Sequence, residues 1–405
     1  MDTRIIRREE ELPAASEILQ KGGLCAVPTE TVYGLCADGL NGEAVAKIYA
    51  VKGRPENKPL SLMVAGESAM DEYCHDVPDA ARTLAAEFWP GPLTIILPAK
   101  DSIPAIVLAG GSTVGLRCPD HPLTLALLRE CGLPLAGPSA NPSGEEPPVN
   151  AEGVLRYFDG KIEAVLDGGA CSVGEPSTIL DMTVTPYRIL RQGGLGGDAI
   201  AAALRRRMTV VGLTGGSGVG KTTALRELAG QGALILDCDE IYHALTETSP
   251  ELKAALCERF GDVYEGNVLD RRKLGNVVFN DEAALADLNA ITHRFVVDEV
   301  RRQIERHVMS GGSLCAIDAV ALIESGLGEL CDYTVAVTAK EELRVKRIME
   351  RDGITEDYAR SRIRAQKDEA FFAENCDHVL ENNGTHEEFN GKVHAFFAVP
   401  HEKKK

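Results

Sequence analysis

Apolar positions recur along this chain with two different periods, and their alternation predicts a mixed α/β protein. Residues 12–21 carry an amphipathic helical spacing, residues 24–27 a short apolar strand and residues 44–51 a second helix. Apolar runs predict strands at 93–97, 113–116 and 133–137, with a helix at 123–129 between the last two. Proline and glycine crowd residues 137–149, which predicts a loop system. A glycine-dense stretch at 191–198 and a short Ala-rich helix then lead to Arg205-Arg206-Arg207-Met208. Beyond it, residues 209–213 predict a buried strand, 223–229 a helix, and 234–236 and 314–317 two further apolar strands. The break in pattern places a domain boundary there, giving residues 1–204 and 205–405, with Met208 reading as the start of a unit once encoded separately.

Length agrees with this division, since 405 residues accommodate two domains of ordinary size. Residues 1–207 carry 19 Lys and Arg against 27 Asp and Glu, and residues 208–405 carry 24 against 34. Neither half is basic, so strong nucleic-acid binding through bulk charge is not expected. Aromatic content of 5% also disfavours a stacking platform for single strands. The 11 cysteines are scattered, with no C-x-x-C pair, which predicts reduced thiols in a cytoplasmic protein rather than a disulfide framework or a zinc site. The first residues lack the apolar core of a signal peptide, and no apolar run reaches the length of a membrane span. Residues 402–405 read as a solvated end.

The sharpest chemical signal follows the strand at 209–213. Gly215-Gly216-Ser217-Gly218-Val219-Gly220-Lys221-Thr222 matches G-x-x-x-x-G-K-[ST], and Thr223 continues it into a helix. Glycines let backbone N–H groups close on phosphate oxygens, and the helix N-terminus adds partial positive charge. Lys221 is expected to reach the outer phosphates of ATP and Thr222 to ligate Mg²⁺. Asp237 and Asp239 end the next strand, where a carboxylate can orient or deprotonate an attacking hydroxyl; capping of the following helix is the alternative reading. Asp318 ends a further strand in the place of a second Mg²⁺-directed carboxylate. Arg344, Arg347 and Arg351 share one helix face and can either clamp transferring phosphates or pair with Glu341, Glu342 and Glu350.

In order and spacing, residues 208–395 resemble dephospho-coenzyme A kinase. The resemblance rests on the loop of residues 212–222, Asp237-x-Asp239, Phe260-Gly261, Leu269-Asp270-Arg271, Val278-Phe279, His293, Glu324, Arg347-x-x-x-Arg351-Asp352-Gly353, Gln366 and Asn382-x-Gly384. It implies transfer of the ATP γ-phosphate to the ribose 3′-hydroxyl of dephospho-CoA, with Asp237 as the catalytic carboxylate. Lys221, Arg347 and Arg351 would stabilise the moving phosphoryl group, and Asn382 would lie at the nucleotide. Asp237, Asp239, Arg271 and His293 would bind the acceptor. Cys238, Val320 and Arg294 depart from the family, where Ala, Pro and Pro are usual, and touch packing rather than charge.

The first half has no P-loop, no metal-spaced cluster and no nucleophile elbow. Its candidate chemistry lies in Thr29-Glu30-Thr31-Val32-Tyr33, in Lys52-Gly53-Arg54 after a helix, and in Ser139-Ala140-Asn141. Taken singly, Lys-Gly-Arg reads as a solvated turn and Ser-x-Asn as turn chemistry, while the cation pair also suits phosphate or carboxylate. Together with Thr113-Val114-Gly115-Leu116-Arg117, Ser177-Thr178-Ile179 and Ile189-Leu190-Arg191, these motifs resemble the YrdC-like threonylcarbamoyl-AMP synthases across residues 12–193. That resemblance implies a twisted-sheet α/β domain making threonylcarbamoyl-AMP and pyrophosphate from L-threonine, bicarbonate and ATP. The product would feed tRNA threonylcarbamoyl-transfer proteins. Lys52, Arg54, Arg117 and Arg191 would offset the charge of the reactants, with Lys52 and Arg54 closest to the chemistry. Thr29, Thr31, Tyr33 and Ser177 would hold threonine, Ser139 and Asn141 the nucleotide, and Thr113 would belong to the same ATP and threonine site. The expectation is a bifunctional enzyme, a YrdC-like domain followed by a P-loop kinase with a parallel sheet and helical lid. The alternative is a non-catalytic nucleotide- or RNA-binding module joined to a small-molecule kinase of another acceptor.

Overall fold

A computed structural model describes residues 2–278 and 281–401; Met1, Phe279, Asn280 and the expected solvated end at 402–405 lie outside the described residues. The chain divides into two compact units, the first through Arg205 and the second from Arg206, apart from Met309–Gly311, which group with the first.

In the first unit ten strands form one mixed sheet: β1 (Arg4–Ile6), β2 (Cys25–Val27), β3 (Gly34–Asp38), β4 (Ser61–Met63), β5 (Leu93–Pro98), β6 (Thr113–Arg117), β7 (Leu135–Ala136), β8 (Ala164–Leu166), β9 (Thr178–Asp181) and β10 (Arg188–Arg191). Their order across the sheet is β1-β8-β2-β3-β7-β4-β6-β5-β9-β10. Strands β2 and β8 are buried at every position, which is why their sequences are apolar runs without alternation. The helix Leu12–Gln20 turns Leu12, Ala15, Ser16 and Leu19 inward at helical spacing. Leu12 and Leu19 join Leu127 and Leu128 over Cys25, Val27, Leu135 and Leu166 in the core. The helix Gly42–Lys52 starts at Asn41, whose side chain accepts from Glu43 N and Ala44 N, and stops at Gly53, which takes the left-handed φ of 59°. Lys52 is therefore the last residue of this helix, and not part of the loop that follows it.

The second unit contains β11 (Thr209–Thr214), β12 (Leu234–Asp237), the hairpin β13 (Tyr264–Glu265) and β14 (Val268–Leu269), then β15 (Leu314–Asp318), β16 (Tyr333–Thr338) and β17 (His378–Glu381). Five of these form a sheet in the order β12-β15-β11-β16-β17, parallel at every pairing. Val211 and Leu213 of the central strand pack with Ala224, Leu228, Val335, Phe389 and Val393. Strands β11, β12 and β15 all end at one edge, and there they deliver the glycine loop, Asp237 and Asp318. Ligands of open parallel sheets bind beyond that carboxyl edge. The helix Glu282–Val308 buries Thr292, Val296, Val300, Ile304 and Val308, one residue per turn. Among the described residues no helix is long and apolar enough to cross a membrane.

Candidate functional sites

A cavity of about 310 Å³ opens in the first unit, walled by Tyr33, Arg54, Thr94, Thr113, Arg117, Ser139, Ser177 and Arg191, with Met63, Ile96 and Ile179 as apolar wall. The sheet thus gathers seven of the residues expected for the synthase site from six separate stretches of chain. Four others stand behind the wall. Thr29 and Thr31 are fully buried and Lys52 and Asn141 nearly so.

Thr29 and Thr31 do not offer their hydroxyls to the cavity as expected. Thr29 Oγ1 donates to Val32 O at 2.7 Å and accepts from Thr31 N at 3.1 Å. Thr31 Oγ1 accepts from Arg117 Nη2 at 2.7 Å. The same Nη2 lies 2.8 Å from Glu30 Oε1, an ion pair in which both side chains are under 10% exposed. Glu30 Oε2 accepts from Asp120 N at 3.0 Å. The loop therefore holds Arg117 from behind and leaves its cationic face to the cavity. Glu30 was not among the expected site residues, although it is the one charged residue of the Thr-Glu-Thr loop.

Lys52 and the Ser-x-Asn loop form one device. Lys52 Nζ donates to the carbonyl oxygens of Ser139 and Asn141, and Ser143 N donates back to Lys52 O at 2.8 Å. Asn141 Nδ2 donates to Glu145 O at 2.7 Å, folding the loop on itself. Burial of the ammonium, with the like charge of Arg54 adding to it, brings Lys52 down to about 7. Arg54 is anchored through Nη2 to Pro59 O at 2.9 Å. On the far wall Arg191 chelates Ser177 O through Nε at 3.0 Å and Nη2 at 2.8 Å, and Thr94 Oγ1 stands 2.8 Å from Ser177 Oγ. Burial and the neighbouring Arg117 cation both hold Arg191 below the usual guanidinium range. Burial pushes the Tyr33 phenol up to about 12, so it stays neutral, donating to Gly169 O at 2.8 Å. Among the described residues three arginines and no carboxylate line this cavity, and Glu30 pairs with Arg117. The cavity is suited to anions.

In the second unit the glycine loop joins β11 to the helix Lys221–Gly230, whose first turn carries no acidic residue. Lys221 Nζ lies 2.9 Å from Asp318 Oδ1. Burial holds the Asp318 carboxyl above its usual range, Lys221 opposes this, and Asp237 and Asp239 add to it. Asp237 takes up the capping reading. Its Oδ1 caps the helix Cys238–Thr248 by accepting from Asp239 N at 2.9 Å and Glu240 N at 3.1 Å, while the strand end keeps the carboxylate beside Asp318. Thr222 is exposed in the first helical turn, and Thr223 N bonds back to Gly220 O.

The arginine helix Glu341–Asp352 splits into roles that spacing did not separate. Arg347 Nη1 reaches Gly218 O at 3.3 Å, and Nη2 reaches Asn382 Oδ1 at 3.2 Å. Asn382 Nδ2 donates to Val219 O at 2.7 Å. Arg344 is buried against Ser217 and Gln366. Arg351, expected at the nucleotide, instead pairs with Asp352 at 2.7 Å, and Arg362 holds the same carboxylate.

Beside the loop a second cavity of about 310 Å³ is walled by Cys238, Asp239, Tyr242, Asn289, Thr292, His293 and Val320. Burial holds His293 below the usual imidazole range, with Glu324 opposing, which favours the neutral ring. Cys238 is pushed up to about 12 by burial and the three neighbouring aspartates, so it contributes an uncharged thiol. Arg271 does not line this cavity. Its Nη2 meets His243 Nδ1 at 3.1 Å.

The family model described as telomere recombination, covering Sua5, YciO and YrdC, matches residues 17–193, and the dephospho-CoA kinase model matches residues 209–388. The threonylcarbamoyl-AMP synthase of Bacillus subtilis is 44% identical over 197 residues, 48% of this chain and 57% of that protein. The threonylcarbamoyl-AMP synthase of Halorhodospira halophila is 40% identical over 169 residues, 42% of this chain and 87% of that protein. The chain thus spans little more than half the length of the B. subtilis relative. Among solved structures, Sua5 of P. abyssi complexed with L-threonine aligns at 25% identity, covering 84% of this chain and all of that one, with a TM-score of 0.49. A dephospho-CoA kinase from Campylobacter jejuni aligns at 23% identity, covering 47% of this chain and 95% of that one, with a TM-score of 0.36.

Proposed function

We propose, for a chain whose residues 17–193 belong to the threonylcarbamoyl-AMP synthase family and whose residues 209–388 are a dephospho-CoA kinase domain, that both units turn over and that each uses ATP. The first converts L-threonine, bicarbonate and ATP into threonylcarbamoyl-AMP, pyrophosphate and water. The second moves the ATP γ-phosphate to the 3′-hydroxyl of dephospho-CoA.

For the first unit the observation that carries the reading is the cluster of Arg54, Arg117 and Arg191 on one cavity. ATP and bicarbonate are anions at neutral pH and zwitterionic threonine brings a carboxylate, and fixed cations offset the repulsion among these groups and hold them in contact. Lys52 holds the carbonyls of Ser139, which lines the same cavity, and of Asn141 behind it. Ser177, held by Arg191 and Thr94, and the neutral Tyr33 supply polar wall for threonine, while Thr113 and Ser139 border the nucleotide. The acidic balance of this half stands against tRNA binding by bulk charge, so the adenylate passes to separate tRNA-modifying proteins.

For the second unit the carrying observation is the strand–loop–helix with Lys221, Asp237 and Asp318 at one sheet edge. Lys221 leaves Asp318 to meet the outer phosphates, and Arg347 adds charge to the transferring group. Asp237 orients the acceptor hydroxyl and takes its proton, while Asp239 and His293 line the acceptor cavity. Mg²⁺ suits the donors present. A small hard cation held mainly by phosphate and water needs only one or two protein oxygens, and Thr222 and the partly buried Asp318 would supply them. When bound, it neutralises charge on the outer phosphates. None of the eleven cysteines forms a disulfide, which supports a reducing, cytoplasmic setting.

The test is mass spectrometry of full-length protein given ATP, Mg²⁺, L-threonine and bicarbonate, and separately ATP, Mg²⁺ and dephospho-CoA. Threonylcarbamoyl-AMP lost in Arg54→Ala, and CoA lost in Lys221→Ala, are expected. No adenylate alongside normal CoA formation would make the first unit a binding module.

A further inference from the structure

Ser217, in the middle of the P-loop, is bonded at three atoms by two side chains that no step above uses. Gln366 Oε1 accepts from Ser217 N at 2.9 Å, and Gln366 Nε2 donates to Ser217 Oγ at 2.9 Å. Arg344 Nε donates to Ser217 O at 3.0 Å, and its Nη2 reaches Gln366 Oε1 at 3.2 Å. Arg344 is only 4% exposed, on the helix that also carries Arg347.

The neighbouring glycine records the same contact. A Cβ on Gly216 would overlap Arg344 Nη2 and stand 2.9 Å from Gln366 Oε1. Gly215, Gly218 and Gly220 hold left-handed φ values of 136°, 78° and 100°, which alone call for glycine. Gly216 does not share that conformation, so its backbone would admit alanine. What excludes a side chain there is the Arg344 guanidinium.

We propose that Arg344 and Gln366 are positioning residues for nucleotide binding, resting on the kinase reading of this unit. They shape the loop before nucleotide arrives, and the Arg344 guanidinium fills the space that a side chain at Gly216 would need. Ser217 N–H is committed to Gln366, so the phosphates are left with the N–H groups that follow it. Ordering the loop in advance removes that cost from the binding step. The same contacts fasten the loop to the helix of Arg347, so the phosphoryl-stabilising cation and the phosphate cradle are set together.

The experiment uses the full chain and MgADP as probe, by calorimetry, with KM for ATP and for dephospho-CoA. Arg344→Ala and Gln366→Ala should each weaken MgADP binding and raise KM for ATP about tenfold, the loss of one charge-assisted or loop-fixing bond pattern. KM for dephospho-CoA should stay within about twofold, which a general loosening of the fold would not allow. Gly216→Ala should show a comparable loss, and adding Arg344→Ala to it should restore part of the binding, a coupling read from the double-mutant cycle. Losses that simply add would overturn the proposal. If Arg344→Ala does not fold by circular dichroism, Gln366→Ala alone decides, and unchanged MgADP binding in it overturns the proposal while wild-type binding keeps the kinase reading. Absence of MgADP binding in the wild type would remove both.

Discussion

Asp237 and Asp318 stand opposite one another on adjacent parallel strands, at the last residue of β12 and of β15. Two carboxylates side by side repel, and the fold offsets this unevenly. Lys221 takes Asp318 at 2.9 Å, while Asp237 is held by two backbone N–H groups of the helix that follows it. The fold thus mounts the two acids differently, Asp318 on a side-chain cation and Asp237 on two backbone N–H groups.

Asp237 therefore carries a cap and a charge that substitution can separate. Asparagine caps as well as aspartate, whereas alanine loses about 1 kcal/mol of helix anchoring. Asp237→Asn should keep the unfolding midpoint of the wild type and lower CoA formation by about 10²–10⁴, the range for removing a general base. Asp237→Ala should lose the same activity and some stability as well. Kinetics and thermal unfolding on both variants check this. An active Asp237→Asn would confine the residue to capping.

The Glu30–Arg117 pair makes a different kind of demand. Both side chains are under 10% exposed, so deleting one leaves a buried charge alone. Glu30→Ala should cost about 3–5 kcal/mol in the first unit by chemical denaturation, as broken buried pairs do. Glu30→Gln keeps an acceptor for Asp120 N and should be milder in stability, yet still lower the rate of pyrophosphate release. A Glu30→Ala protein as stable as wild type would mean that Arg117 reaches solvent without its partner.

How much of this could be read from the chain depended on the length of each signal. The strand at 209–214, its loop and its helix were legible because a long apolar run, a glycine pattern and a helix period abut. Strands β1, β2, β4 and β8 are three residues each, too short for a period, and only residues 24–27 announced one. The roles behind the cavity were hidden for another reason. Thr29 and Thr31 carry hydroxyls that suit a ligand, but whether a hydroxyl faces a cavity or Arg117 depends on a partner 86 positions away. Helical spacing placed Arg344, Arg347 and Arg351 near one face, whereas the pairing of Arg351 with the next residue, Asp352, is seen only in the structure. Sequence named the groups; packing across the sheet assigned them.

The thiols give a test that needs no substrate. Among the eleven cysteines only Cys171 and Cys257 are partly exposed, and the rest are buried. Thiolate, the reactive form, is further suppressed where burial raises the pKa, as at Cys74, to about 12. Native protein should react quickly with a thiol reagent at no more than these two positions, and at all eleven after denaturation without reductant. Fewer than eleven after denaturation would reveal a disulfide that the fold does not contain.

Lys52 ties stability and activity to pH in opposite directions. Its folded pKa, about 7, lies below the ordinary value of 10.5, chiefly because burial penalises the ammonium and secondly because of Arg54. Below that folded value Lys52 is charged in both the folded and unfolded chain, and the folded state carries the whole penalty. As pH rises from about 7 towards the ordinary value, the folded state gives up a proton that the unfolded state keeps, and the penalty is relieved. This group therefore makes the first unit more stable on the alkaline side. Activity is expected to run the other way, because the charged amine holds the carbonyls of Ser139 and Asn141 more strongly than the neutral one does. In the wild type kcat/KM for ATP should fall as pH passes through about 7, while the unfolding midpoint gains a contribution in its favour. Lys52→Met has no proton to lose, so its kcat/KM should be low and flat, and its stability should lack the alkaline gain. Pyrophosphate release and thermal unfolding measured over roughly pH 6–9 test both limbs. A wild-type kcat/KM that is level across that window, or a fall that persists in Lys52→Met, would assign the titration to another group.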